Sequence, residues 1–103
     1  MGTSEFGRFS DPALMILASL AGGEKHGYAM MEDIEAMTGV HLGPGTLYGA
    51  ISRLEQDGLI EALPADERRR PYRLTTQGAV FLRSYLASLK KIVTVGLKRL
   101  EAA

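Results

Sequence analysis

Cysteine is absent from this chain, and histidine occurs only twice in its 103 residues. Without cysteine, disulfide bonds, thiolate metal ligands and cysteine nucleophiles are excluded. No apolar run approaches the roughly 20 residues that span a bilayer. The N-terminus also lacks the basic region and apolar core of a secretion signal. We therefore expect a cytoplasmic protein with no membrane partner.

The scarcity of histidine also argues against an enzyme. His26 and His41 lie on predicted loops, with no nucleophile motif or paired carboxylates beside them. A zinc site needs more nitrogen or sulfur ligands than this chain offers. The sequence therefore predicts a protein without catalytic activity, bound metal or cofactor.

The chain has no net charge, but its charges are unevenly distributed. Residues 1–58 contain three basic and eight acidic residues, whereas residues 59–103 contain nine basic and four acidic ones. This asymmetry favours an anionic partner for the second half, although an ordinary surface of mixed charge fits it equally well.

Hydrophobic periodicity predicts four helices, over residues 12–21, 28–38, 44–56 and 76–103. Ser10 or Asp11 can cap the first helix, and Thr75 or Thr76 the last. Two short strands are expected at residues 59–63 and 72–74. The predicted fold is mainly α with a small β-hairpin, which is a winged helix-turn-helix followed by a long C-terminal dimerisation helix. We expect a vector-derived remnant or disordered arm, the winged helix-turn-helix domain and the dimerisation helix at residues 1–9, 10–76 and 77–103.

The first and last helices carry more apolar surface than so short a chain can cover. The first helix is apolar on nearly every side, and leucine and valine recur along the last helix at spacings of three and four, close to a heptad seam. We therefore expect a homodimer, and a small hydrophobic effector is expected between these two helices. The predicted interface residues are Leu14, Leu17, Leu82, Leu86, Leu89, Val93, Leu97 and Leu100.

The third predicted helix has a polar face that fits the major groove of DNA, which is about 12 Å wide. Its expected DNA-binding residues are Pro44, Gly45, Thr46, Tyr48, Gly49, Ser52 and Arg53. Structural roles remain open for three of them. Thr46 can cap the helix, Tyr48 can pack at the core edge, and Arg53 can pair with Glu55, Asp57 or Glu32. Gly49 and Ser52 offer no long polar side chain, which favours recognition of DNA shape over direct contact with bases.

The tip of the predicted hairpin carries three consecutive arginines, Arg68, Arg69 and Arg70. Arginine suits phosphates through its planar guanidinium and suits a narrow minor groove through its charge. Asp66 and Glu67 can neutralise two of the three, in which case the run is only a solvated surface. Because the tip is expected beside the third helix, we favour contact with DNA.

Several motifs, taken together and in this order, resemble the PadR family of transcriptional regulators. They are His26-Gly27-Tyr28, Pro44-Gly45-Thr46-Leu47-Tyr48, Arg53-Leu54-Glu55, Asp57-Gly58-Leu59-Ile60, Arg69-Arg70-Pro71-Tyr72-Arg73-Leu74-Thr75 and Gly78. The resemblance implies a winged-helix dimer that usually represses transcription and often responds to a small molecule. It also implies that Tyr48 and the wing arginines contact DNA. The chain departs from the family at Gly49 and Ser52, where a basic residue is common.

The single C-terminal helix is similar to the shorter branch of that family. Two functions fit this sequence. The first is a repressor that binds a palindromic operator in double-stranded DNA as a homodimer and is released by an effector. The second is a winged-helix dimer that serves as a protein-interaction or ligand-binding module without significant DNA binding. The arginines of the hairpin tip discriminate between them.

Overall fold

The computed structural model describes residues 11–65 and 68–103, and it confirms a mainly helical fold with a small antiparallel sheet. The elements within these ranges are α1 Pro12–Ala21, β1 Lys25–His26, α2 Gly27–Thr38, α3 Pro44–Gln56, β2 Ile60–Ala62, β3 Pro71–Leu74 and α4 Thr76–Ala102. This is the winged helix-turn-helix order with a long C-terminal helix. The predicted N-terminal arm, the alternative cap Ser10, and Asp66 and Glu67 lie outside the described residues.

The sheet contains one strand that the sequence analysis missed. β3 lies in the centre and pairs antiparallel with β2 on one side and with β1 on the other. Lys25 is opposite Tyr72 and His26 is opposite Pro71, so the segment before α2 is paired with the hairpin. A strand of two residues is too short to show an alternating pattern. The third strand is important because it attaches the start of α2 to the wing.

Side-chain caps fix where α1 and α4 begin. The Asp11 carboxylate accepts a hydrogen bond from the Ala13 amide at 3.1 Å, which makes Asp11 the N-cap of α1. Thr75 caps α4 by accepting from the Gly78 amide at 2.9 Å, and its hydroxyl donates to the Gly58 carbonyl at 2.7 Å. Each such cap contributes about 1 kcal/mol. Of the predicted candidates, Asp11 and Thr75 are therefore the caps that the structure uses.

The core is built from the inner faces of α1, α2 and α3. The largest fully buried apolar side chains are Ile16, Leu17, Met30, Ile34, Leu47 and Ile51. Removing each from water contributes about 1.5–3 kcal/mol. The core therefore fixes α3 through its inner face and leaves its outer face in solvent.

α4 belongs to the protein body only along its first half. Leu82 is buried, and Tyr85 and Leu89 pack partly against the core. From Lys90 onward every residue is exposed. The apolar residues Ile92, Val93, Leu97 and Leu100 are 67%, 58%, 56% and 74% exposed. The second half of α4 is therefore a projecting helix with uncovered apolar side chains.

The eight residues predicted for a dimer interface occupy different environments. Leu14, Leu17 and Leu82 lie in the core of the chain itself, so they offer a partner little surface. Leu89 is half-buried, whereas the other four are exposed, namely Leu86, Val93, Leu97 and Leu100.

Gly78 allows α4 to approach the segment between α3 and β2. A Cβ at position 78 would overlap the Leu59 carbonyl, a backbone group that cannot move without shifting β2. We expect Gly78→Ala to lower the free energy of unfolding by about 2–3 kcal/mol, as measured by urea unfolding. Gly49→Ala is the matched control, because a Cβ at Gly49 meets nothing within 4 Å. Alanine should stabilise that helix by about 1 kcal/mol. Wild-type stability in Gly78→Ala would contradict the close approach.

Candidate nucleic-acid interface

The outer face of α3 is exposed along its whole length. Gly45, Gly49, Ser52 and Gln56 are spaced by three or four residues and are all exposed. A Cβ added at either glycine meets nothing within 4 Å. The face therefore presents backbone and short side chains, which permits close approach of a flat or grooved surface.

The N-terminus of α3 is open to solvent. Gly43 is its N-cap and has no side chain to cap it, and Pro44 occupies the first turn. The exposed Thr46 is therefore not the N-cap, which removes the structural role left open for it. The first turn contains no acidic residue. The positive end of the helix dipole thus faces solvent and favours an anion.

The Tyr48 side chain packs against Gly27, the first residue of α2. A Cβ added to Gly27 would overlap the Tyr48 hydroxyl, so glycine at position 27 makes room for this ring. Tyr48 nevertheless remains 48% exposed. Its hydroxyl therefore lies at the junction of α3 and α2, on a side chain that is half exposed.

The wing arginines differ in their contacts. Arg69 Nη1 lies 3.3 Å from His26 Nε2, and Arg70 Nη1 donates to the Leu63 carbonyl at 3.2 Å. Arg68, Arg69 and Arg70 are all exposed. These contacts hold Arg69 toward the start of α2 and Arg70 along the hairpin. The expected neutralising residues Asp66 and Glu67 lie outside the described part of the chain, so this alternative stays a hypothesis.

Arg53 is exposed on α3. Within residues 11–65 and 68–103, the two ion pairs are Arg73 with Glu61 and His41 with Glu35. Arg53 therefore forms no ion pair with Glu32, Glu55 or Asp57, the three carboxylates considered from the sequence. Its guanidinium is available to a ligand on that side of α3.

Within the described residues, Arg73 is the arginine of the wing that forms an ion pair. Its Nε donates to Glu61 Oε2 at 2.7 Å across the β2–β3 ladder. This hydrogen bond, together with the carboxylate charge, raises the pKa of Arg73. On the same strand, burial and the nearby Glu55 carboxylate raise the pKa of Tyr72. Arg73 and Tyr72 therefore stabilise the wing rather than adding free charge to it.

A groove of about 520 Å³ runs between α1, α3 and α4. Leu14 and Leu17 line it from α1, and Phe81 and Tyr85 line it from α4. The Tyr85 hydroxyl donates to Asp11 Oδ2 at 2.8 Å, and this bond, with partial burial, raises the pKa of Tyr85. The third wall is α3, which contributes Gly45, Thr46, Gly49 and Arg53. The groove therefore borders the exposed face of α3 directly.

Two features of this surface were missed by sequence reasoning. His26 appeared to be a turn residue, but it contacts Arg69 across 43 positions of sequence. Gly27 accommodates Tyr48, a role that the sequence signals only by the presence of a glycine at a helix start. Neither feature follows from periodicity, because the first depends on the pairing of β1 with β3 and the second on the contact between α2 and α3. Among the described helices, none combines the length and the hydropathy of a membrane-spanning segment.

The family and its relatives agree with this geometry. The model of the transcriptional regulator PadR-like family matches residues 16–84. An uncharacterized 37.1 kDa protein in transposon TN4556 of Streptomyces fradiae is 40% identical over 85 residues. That match covers 82% of this chain but only 25% of the Streptomyces protein. Transcriptional regulator Rv3488 of Mycobacterium tuberculosis is 37% identical over 82 residues, which are 77% of this chain and 76% of the relative.

A solved structure has the same fold over most of the chain. The crystal structure of a PadR family transcription regulator from Clostridium difficile R20291 superposes with a TM-score of 0.78 at 26% identity. The superposition covers 86% of this chain and 97% of that one. The family match extends from α1 into α4 and includes α3, the wing and Gly78. The chain belongs to the PadR-like family of transcriptional regulators.

Proposed function

We propose that this chain regulates transcription in the cytoplasm by binding duplex DNA through α3 and the wing. One observation carries the proposal. Tyr48 of α3 lies against Gly27, and the neighbouring His26 contacts Arg69 of the wing. The open face of α3 and the arginine tip are thus adjacent parts of one surface. An anionic polymer can contact both at the same time.

In the proposed complex, α3 enters the major groove with its N-terminus toward a phosphate. Pro44, Gly45 and Gly49 allow the helix backbone to approach the DNA closely, and Thr46, Tyr48 and Ser52 supply hydroxyl groups. Arg53 extends from the same helix. The short side chains favour DNA shape and phosphate contacts as the main source of affinity. Arg68, Arg69 and Arg70 bind the backbone or the minor groove beside α3.

We further propose that the active form is a homodimer, paired through the projecting half of α4. Its exposed apolar residues follow the heptad-like seam, and this half of the helix has no partner within the described chain. A two-fold dimer would bind a palindromic site with half-sites about 34 Å apart. Repression, which the resemblance to the family implies, is the mode of regulation that we propose.

The groove between α1, α3 and α4 is the proposed site of a small hydrophobic effector. Apolar and aromatic residues of α1 and α4 form much of its lining, and Phe81 and Tyr85 stack edge to face with ring centroids 5.9 Å apart. The remaining wall contains Thr46 and Arg53, which are also proposed to contact DNA. A bound effector would therefore lie against two DNA-binding residues, which gives it a direct route to release the operator.

Gel retardation with DNA flanking the protein's own gene, across a salt series, tests this function. A specific complex should form at low salt and weaken steeply as salt rises. Each phosphate contact adds about 0.9 to the steepness with which the logarithm of the binding constant falls against the logarithm of the salt concentration, which is the logarithmic salt slope. A dimer that fails to retard this DNA at low salt would instead support an interaction module.

Tyr48 offers a mild test of the proposed α3 contacts. Tyr48→Phe keeps the ring that fills the space beside Gly27 and removes only the hydroxyl. We expect about fivefold weaker binding to the operator, the loss of one neutral hydrogen bond. Fluorescence anisotropy measures the affinity, and thermal unfolding checks that the fold is retained. Wild-type affinity in the variant would remove this hydroxyl from the interface.

A further inference from the structure

His26 lies where the wing meets α2, and both of its ring nitrogens face a hydrogen-bond donor. Nδ1 lies 3.4 Å from the Ala29 amide and makes His26 the side-chain cap of α2. Nε2 lies 3.3 Å from Arg69 Nη1. One imidazole therefore connects a wing guanidinium to the first turn of a helix.

The two contacts compete for a single lone pair. A neutral imidazole accepts a hydrogen bond at only one nitrogen, and the guanidinium of Arg69 can only donate. When Nε2 accepts from Arg69, the ring proton is on Nδ1 and the Ala29 amide loses its cap. When Nδ1 accepts from Ala29, the proton on Nε2 faces the guanidinium and weakens that contact.

We propose that His26 is a positioning residue for Arg69 in DNA binding, an inference that rests on the proposed function. In the free protein, His26 holds the guanidinium beside the start of α2. When a phosphate binds Arg69 and the ring is neutral, Nδ1 accepts again from the Ala29 amide and completes the cap of α2. The hydrogen bond from the Ala29 amide thus partly offsets the loss of the contact between Arg69 and His26. Before DNA binds, the contact with His26 keeps Arg69 near its proposed phosphate.

The surroundings of His26 give this exchange a pH dependence. From β1, Lys25 directs its ammonium away to the Ser19 carbonyl at 2.6 Å. The first turn of α2 contains no acidic residue, and Pro71 of β3 is the residue paired with His26 in the sheet. From α3, the Tyr48 hydroxyl lies against Gly27, the residue that follows His26. Within the described residues, His26 pairs with no carboxylate.

Among residues 11–65 and 68–103, a protonated His26 has no carboxylate partner, whereas a bound phosphate supplies an anionic one. The imidazolium also has no acceptor for Arg69 and repels it toward the phosphate. A charged imidazole at this position should therefore favour the complex over the free protein. The affinity for DNA should then rise as the pH falls through the range where histidine becomes charged.

The experiment measures operator affinity by anisotropy at about pH 8 and about pH 6, on either side of the ordinary histidine range. The wild-type protein should bind about threefold to fivefold more tightly at the lower pH, as expected for one partly exposed charge pair. His26→Asn should lose this dependence while keeping the helix cap, because asparagine is an effective N-cap. His41→Asn is the matched control. It removes the other histidine, which pairs with Glu35 at 3.2 Å, and should retain the dependence.

The outcomes separate this inference from the proposed function. Equal pH dependence in the wild type and His26→Asn would overturn the role of His26 while leaving DNA binding intact. Failure of the wild type to bind DNA at either pH would overturn both. In the DNA-free protein, ¹⁵N NMR of the imidazole tests the contact itself. Arg69→Ala should increase the Nε2-protonated tautomer of His26 at high pH, and an unchanged tautomer ratio would overturn the competition.

Discussion

An Arg69→Ala/Arg70→Ala variant is expected to bind duplex DNA about a hundredfold more weakly than the wild type at low salt, through the loss of two charge-assisted phosphate contacts. The affinity should fall for operator and unrelated sequences alike, because guanidinium–phosphate contacts carry no base information. The logarithmic salt slope should also decrease by about 1.8, or 0.9 for each lost contact. Anisotropy titrations over a salt series measure both quantities.

Arg83→Ala/Lys90→Ala is the matched control for the wing variant. It removes the same number of positive charges from exposed positions seven residues apart on α4, outside the wing. Its DNA affinity should remain within about threefold of the wild type, as long-range charge effects are screened by salt. Because Arg70 donates to the Leu63 carbonyl, thermal unfolding of both variants is compared first. An unchanged salt slope in the wing variant would show that the hairpin tip does not touch the phosphates.

The helices of this protein could be predicted from its sequence because each has local signals. These signals act within a few residues along the chain. They are Pro44 in the first turn of α3, Gly39 in the left-handed conformation with φ 78° after α2, and Thr75 before α4. The spacing of Leu47 and Ile51 also fixes which face of α3 is buried. The open outer face therefore follows from sequence once the helix is recognised.

The contacts that join α3 to the wing could not be predicted in the same way. His26 and Arg69 are brought together by the pairing of β1 with β3, which has no periodic signal. Gly27 is needed because of Tyr48, a residue on another helix. Sequence reasoning likewise counted Leu17 and Leu82 as surface for a partner, but both pack inside the chain. The apolar side chains of a helix can be buried within their own chain or against another protein. Periodicity does not distinguish these two cases.

The projecting half of α4 is the part of the molecule that most needs a partner. Four apolar side chains from Ile92 to Leu100 are more than half exposed. Exposed apolar surface of this kind marks an interaction site in soluble proteins. A second copy of the same helix offers a matching heptad-like seam, and pairing by two-fold symmetry would bury both at once.

A Val93→Glu/Leu97→Glu variant is therefore expected to be monomeric. Both side chains are exposed in the single chain, at 58% and 56%, so the fold of each protomer should be unaffected. Burying the new carboxylates between two copies costs several kcal/mol without a cationic partner. Sedimentation equilibrium measures the mass. Operator affinity should fall about a hundredfold as well, because the two half-sites are no longer bound by linked domains.

Ala87→Glu/Thr94→Glu is the control for this variant, with two new carboxylates placed seven residues apart on the polar side of the same helix. Both positions are exposed, and neither belongs to the apolar seam. The control should remain a dimer and bind the operator, because its charges stay in water. If both proteins were dimers, the subunits would have to pair through another surface, and the spacing predicted for the half-sites would no longer follow from α4. If both were monomers, the loss would be a general effect of negative charge on α4. Only a monomer in the first variant and a dimer in the second assign the interface to the seam that contains Val93 and Leu97.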